Sequence, residues 1–300
     1  MRQLLSAFAL AATASTLFAG NVGVLLIPDS GTDKIWAFNA FDGSLISNNF
    51  IPADGRMVQP INAVDSGRST ILVTDELADS VFEYGYNGSY IGTFAGPSSG
   101  IDGPFGLEVA GNSVYVASNV NGKIVRYDSN GANPTDWATG VGTPRDLEFR
   151  ANDVLVTESG GDDVVRYDFS GALQGPWHNS DGVSGIDFPQ QIQLESDGGA
   201  LVAGFTAPFG IYDYNPDGTQ NRYYGGLITS PRGVYRLGDG NILYAGGTQI
   251  RKIDAVSGIE TGILNQSGAS FRFIEYSPLP EPTSLALLVL GGMLIMKRRA

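Results

Sequence analysis

Five prolines open five variants of one short plan, and this repetition constrains the fold more than any other feature of the chain. "QPINAVDSGRSTILVTDE", "GPFGLEVAGNSVYVASN", "TPRDLEFRANDVLVTES", "FPQQIQLESDGGALVAGF" and "SPRGVYRLGDGNILYAGG" each run from a proline through a short alternating strand, a Gly/Asn/Asp turn and an apolar, β-branched strand. The prolines are Pro60, Pro104, Pro144, Pro189 and Pro231, at steps of 44, 40, 45 and 42 residues. A third strand follows in each unit and ends in a glycine turn, as in "VFEYGYNG", "IVRYDSNG" and "VVRYDFSG". The turn glycines are Gly43, Gly88, Gly131, Gly171, Gly218 and Gly258, where the backbone is expected at positive φ. A fourth, outer strand such as "SYIGTFAG" completes the unit.

Four strands in roughly 42 residues is the size of a propeller blade rather than of a helical solenoid repeat. The turn glycines number one more than the prolines. The excess arises because the first unit, "VLLIPDSGTDKIWAFNAFDG", begins at a second strand and lacks an innermost one. "ASFRFIEYS", aligned on "TPRDLEFRA" with Ser270 in register, supplies it from the other end of the chain. The expected fold is therefore all-β: a six-bladed β-propeller closed by pairing of its N- and C-terminal strands. The 41 glycines and 15 prolines suit many short strands and tight turns.

These repeats, "GPFGLEVAGNSVYVASNVNGKIVRYDSNG" most clearly, resemble NHL-type six-bladed propellers over residues 22–276. The resemblance implies fold rather than activity.

The two ends read as addresses. "MRQLLSAFALAATASTLFAG" has a cation at Arg2, an apolar stretch and small residues suited to cleavage, so residues 1–19 are expected to be a signal peptide. Residues 277–300 hold Pro280, Glu281 and Pro282, then an apolar run from Leu285 to Met296 that is short for a bilayer span, then Lys297, Arg298 and Arg299 as a basic stop. This tail resembles a PEP-CTERM sorting signal with a short transmembrane helix. The resemblance implies transient inner-membrane insertion, an exosortase as partner, and delivery to the Gram-negative cell envelope, the cell surface or an extracellular, exopolysaccharide-rich biofilm matrix.

Charge and cysteine content narrow the chemistry. Once Arg2, Glu281 and the basic tail are set aside, residues 20–279 keep 30 acids against 14 bases, a charge of −16. No basic patch interrupts this body, which argues against a nucleic-acid partner. Without cysteine there can be neither disulfides nor thiolate metal sites.

No catalytic residue is identified. "GPSSG" at 96–100 has the spacing of a nucleophile elbow, but it falls in a link between blades rather than a strand-to-helix turn, and His178 is the only histidine in the chain. "DYNPDG" begins like a calcium loop at Asp213, Asn215 and Asp217, yet its twelfth position is Tyr224, and Asp217-Gly218 reads as a hairpin turn. The ends of the second strands are the more promising rim: Asp29, Asp75, Ser118, Glu158, Gly204 and Gly246 are equivalent, with Glu76 and Asn119 adjacent. Asp29, Asp75, Asn119 and Glu158 could converge at the channel mouth as oxygen ligands for Ca²⁺ or Mg²⁺. The repeats also distantly resemble gluconolactonase-type propellers, which implies a divalent-metal-dependent sugar-lactone hydrolase or lyase as the alternative to a noncatalytic module binding extracellular polysaccharide or a matrix protein. Trp137 and Trp177 are expected on the loop faces of such a module.

Overall fold

The computed structural model describes residues 23–180 and 185–278. Six four-stranded antiparallel sheets form in it, each a blade. Blades 2 to 5 run from inside outward in chain order, beginning at Pro60–Asp65, Pro104–Ala110, Pro144–Phe149 and Pro189–Leu194, and blade 6 begins at Gly233–Arg236. Blade 1 takes its second, third and outer strands from Val24–Asp29, Lys34–Asn39 and Leu45–Ile51 and its inner strand from Glu275–Ser277. Val24 pairs with Ser277 and Leu26 with Glu275, so the two ends of the chain close the ring within one sheet. Among the described residues no helix is long and apolar enough to cross a membrane; the expected signal peptide and residues 279–300 of the expected sorting signal lie outside them, while Ser277 belongs to the closing strand.

Alignment at the closure differs by one residue from the sequence reading. Asp29 bridges Phe271, as Asp75 pairs with Pro60 and Glu158 with Pro144, so Phe271 rather than Ser270 occupies the proline position. Ser270 instead sits in the preceding link, where its N–H donates to Asp29 Oδ1 at 2.7 Å and its carbonyl accepts from the Ser30 N–H at 3.0 Å.

The apolar second strands are buried along their whole length in Val24–Asp29, Ser113–Ser118, Ala200–Gly204 and Ile242–Gly246, because a blade on each side covers both faces. Outer strands such as Leu45–Ile51 are largely exposed. All six predicted turn glycines adopt positive φ. At Gly171 and Gly218 a side chain would also overlap the carbonyl oxygen of Trp137 or Trp177 in the preceding blade, so these turns double as docking points between blades. Both tryptophans lie on outer strands with the indole N–H donating across the blade junction, to Phe169 O at 3.1 Å and Pro216 O at 3.0 Å. They join blades and are not loop-face binding residues.

Bulges set what the channel sees. The inner-to-second-strand register slips between Pro60 and Asn62, between Pro104 and Leu107, between Pro144 and Asp146, and between Pro189 and Ile192. The residues passed over are released from strict alternation, as a bulge allows. Side chains then bond the freed backbone and link it to the next blade. Thr74 Oγ1 accepts from Asn62 N–H and donates to Phe105 O, and Thr157 Oγ1 accepts from Asp146 N–H and donates to Gln190 O. The Gln191 amide oxygen accepts from both Val234 and Ile274 N–H. Such caps keep the innermost edges from standing open.

Candidate functional site

Counting from each inner-strand proline, or from Phe271, places equivalent residues in layers down the axis. The second position is Ile61, Phe105, Arg145, Gln190, Arg232 and Arg272; the fifth is Val64, Glu108, Glu148, Gln193, Tyr235 and Glu275. In this antiparallel meander the second position lies at the end holding the second-to-third-strand loops and the links between blades. The fifth lies toward the hairpin-turn end.

At the loop end three guanidiniums converge. Arg272 is close enough to Arg232 and Arg145 for their charges to disfavour its own, and burial, the larger cause, pushes it down to about 10. Burial likewise brings Arg145 to about 10 and lowers Arg232. All three remain cationic at neutral pH. Each is aimed by a serine hydroxyl: Arg145 Nε on Ser159 Oγ at 2.9 Å, Arg232 Nη1 on Ser270 Oγ at 3.2 Å, and Arg272 Nε on Ser30 Oγ at 2.7 Å. Aromatic rings support two of them, with Arg145 4.2 Å from the Phe105 centroid and 4.8 Å from Phe188, and Arg232 5.0 Å from Phe205. Ile61, Phe105 and Phe273 form a small apolar cluster beside them.

None of the three arginines forms an ion pair among the described residues. Glu76 is the one carboxylate whose field reaches all three, and Asp29 adds to it at Arg272. Holding three guanidiniums together out of bulk water costs free energy that one or two carboxylates do not offset. Oriented, stacked and incompletely neutralised forks of this kind match the geometry of carboxylate or phosphate oxygens.

The rim residues expected to bind a divalent ion surround this same mouth, each already engaged. Asp29, fully buried, accepts from Gly31 N–H, Thr32 hydroxyl and Ser270 N–H. Asp75 accepts from the N–H groups of Val58, Gln59 and Ala78; its carboxyl is nonetheless raised, because desolvation outweighs those bonds. Asn119 donates to Pro144 O, and Glu158 accepts from Tyr167 and is raised by burial. Among the described residues no three acids or histidines are arranged to hold a metal ion. These carboxylates tie loops to blade ends, and Ca²⁺ and a chelator are expected to give the same melting temperature. A calcium-dependent rise in that temperature that Asp75→Ala abolishes would restore the metal reading.

The other candidates are structural. Pro97–Ser99 is a single 3₁₀ turn in the link between blades 2 and 3. His178 lies against Tyr214 with ring centroids 4.4 Å apart, its Nδ1 3.0 Å from Gly218 O. Asp217 accepts from the Thr219 N–H and hydroxyl inside the expected hairpin turn. Pro280, Glu281, Pro282, Lys297, Arg298 and Arg299 lie outside the described residues.

Sequence reasoning missed the arginines, although "PRD", "PRG" and "FRF" place them at one repeat position. It also missed the fifth-position acids in "GLEVA", "DLEFR" and "FIEYS". Glu148, Glu275 and the deeper Asp146 are raised well above the ordinary carboxyl range, chiefly by burial and then by one another's charge, and burial pushes Glu108 up to about 7. A carboxyl raised on folding binds more protons folded than unfolded. Its contribution is fully present below the unfolded pKa and is lost as pH rises through the folded value. The melting temperature should therefore fall between about pH 5 and pH 8. Glu148→Gln, which keeps an acceptor for the Leu194 N–H, should flatten that fall and raise the pH 8 value by about 3 °C or more. An unchanged pH profile in that variant would show that the cluster carries no such penalty.

No family model matches the chain, and no curated protein matches it in sequence. Similarity appears among solved structures. A chain from the crystal structure of a nidogen/laminin complex matches with a TM-score of 0.72 at 14% identity, covering 86% of this chain and 99% of that one. A streptogramin B lyase structure matches with a TM-score of 0.53 at 16% identity, covering 77% of this chain and 72% of that one. At such identities the likeness shows the fold alone, a six-bladed propeller.

Proposed function

We propose that this chain is an exported, noncatalytic β-propeller, sorted by an exosortase to the cell surface or exopolysaccharide matrix, that binds an acidic polysaccharide at its loop-end channel mouth. The observation that carries the binding reading is the trio Arg145, Arg232 and Arg272, aimed by serines and without ion pairs among the described residues. A body this acidic repels polyanions in general, so a confined cationic mouth favours a ligand that presents its carboxylate or sulfate at a chain end or kink rather than a polyanion lying along the surface. Aromatic support beneath the guanidiniums suits a sugar ring bearing the acid. A protein partner offering carboxylates would use the same chemistry and is the other outcome of the titration below.

Titration with uronate oligosaccharides against neutral oligosaccharides of the same length tests the ligand class. Saturable binding of the acidic series alone is expected; equal affinity for both would contradict it. The sorting reading rests on Pro280, Glu281 and Pro282 ahead of a short apolar run and a basic end. Mass spectrometry of the surface-localised protein should find neither residues 1–14 nor the stretch beyond the vicinity of Pro282. An intact peptide spanning Leu285 to Arg299 would contradict sorting.

A further inference from the structure

Not all of the charge at the arginine mouth is positive. The guanidiniums of Arg145, Arg232 and Arg272 are acted on by two carboxylates, Glu76 and Asp29. One positive charge is therefore left for a guest. We infer that Glu76 sets the charge of the ligand, so that the mouth holds a singly charged sugar acid, a uronate or a sulfate ester, and rejects a doubly charged phosphate ester. This selectivity rests on the binding reading above and divides the anions that reading allows.

The two carboxylates differ in what they can do. Asp29 is wholly buried, and its oxygens already accept from Gly31 N–H, the Thr32 hydroxyl and Ser270 N–H, so it is part of the wall. Glu76 is only partly buried and follows Asp75 in the loop after the second strand of blade 2. That blade offers Ile61 at the layer where blades 4, 6 and 1 offer arginine. Two bonds to Gln59 hold Glu76 in place: its N–H donates to Gln59 O at 3.0 Å, and its Oε2 accepts from Gln59 Nε2. Its Oε1 accepts no hydrogen bond among the described residues and can take a hydroxyl hydrogen from a sugar. Nor does Glu76 pair directly with any of the three arginines. The guanidinium forks stay open to a guest, while the field of Glu76 reaches all of them.

The charge left over decides between anions. Attraction to it doubles from a monoanion to a dianion, whereas the cost of taking the ion out of water rises with the square of the ion's charge. A single uncompensated positive charge therefore favours the monoanion. Phosphate esters lose their second proton at about pH 6 and are dianions at pH 8, whereas carboxylates and sulfate esters carry one charge. Replacing Glu76 by an amide leaves two positive charges and should admit the dianion.

The test is titration of the purified full-length protein at pH 8 with glucuronate, glucose 6-sulfate and glucose 6-phosphate. The parent should bind the first two alike and the phosphate about tenfold or more weakly. Glu76→Gln should gain about tenfold more affinity for the phosphate than for glucuronate, so that the three ligands converge. Glu76→Asp, which keeps the charge, should keep the parent's order. The inference is overturned if the parent binds the phosphate as tightly as glucuronate, or if Glu76→Gln binds glucuronate and discriminates as the parent does. A Glu76→Gln protein that melts as the parent does yet binds no glucuronate would overturn it too. Absence of saturable glucuronate binding by the parent is a different result, which contradicts the binding reading itself and removes this selectivity with it.

Discussion

A chain ending at Gly268 should fail to unfold cooperatively, whereas one ending at Pro278 should melt as the intact propeller does. The difference is the inner strand of blade 1 and the link that leads into it. Phe271, Phe273 and Ile274 are each no more than 1% exposed. Burial of such side chains stabilises by about 1.5–3 kcal/mol apiece, so their loss approaches the whole of a typical domain's roughly 5–15 kcal/mol. Packing around them is specific. Phe271 meets Trp36 edge-on at 5.3 Å and Phe273 meets Phe105 at 6.4 Å, so the strand supports both blade 1 and the channel wall. Its removal also strips Asp29 of the Ser270 N–H and exposes the inner edge of Val24–Asp29. Differential scanning calorimetry of the two truncations decides the matter. An equal melting temperature would mean that the terminal strand is not what closes the ring.

Much of this architecture was legible because each blade repeats a local rule. Glycine at the third-strand turn reports a backbone requirement that no neighbour can override, and all six glycines met it. Even the closure could be read, since a turn count exceeding the proline count requires a strand borrowed from the other end. The one-residue error at Phe271 has a local cause: no proline marks the position, and the Ser270 link mimics the start of a strand.

Sites were less legible, for a different reason. Asp75 and Glu158 look like free ligands in the sequence because nothing there shows that the Val58 N–H and the Tyr167 hydroxyl will turn to them in the folded blades. Arg145 reads as an ordinary polar residue on an alternating strand until the bulge between Pro144 and Asp146 releases it from the ladder. A bulge is a mismatch between two strands and cannot be seen in one of them. Gathering Arg145, Arg232 and Arg272 further requires blades 4, 6 and 1 to face a common axis, which only the closed ring provides. The sequence reading of this mouth thus named the carboxylates of its rim and left out the cations gathered inside it.

Whether those three guanidiniums hold an anionic sugar is decided by titrating the parent protein and the Arg145→Gln, Arg232→Gln and Arg272→Gln variants with one uronate oligosaccharide. Each arginine offers a charge-assisted bond of about 1.5–3 kcal/mol, so each single variant should bind about tenfold or more weakly. Glu76→Gln should bind at least as tightly as the parent, because it removes the carboxylate that competes for all three cations. Relief of guanidinium repulsion should leave the melting temperatures of the arginine variants near or above that of the parent, which separates loss of binding from loss of fold. Parent-like affinity in all three arginine variants, in protein shown to be folded, would mean that the guanidiniums do not hold the sugar.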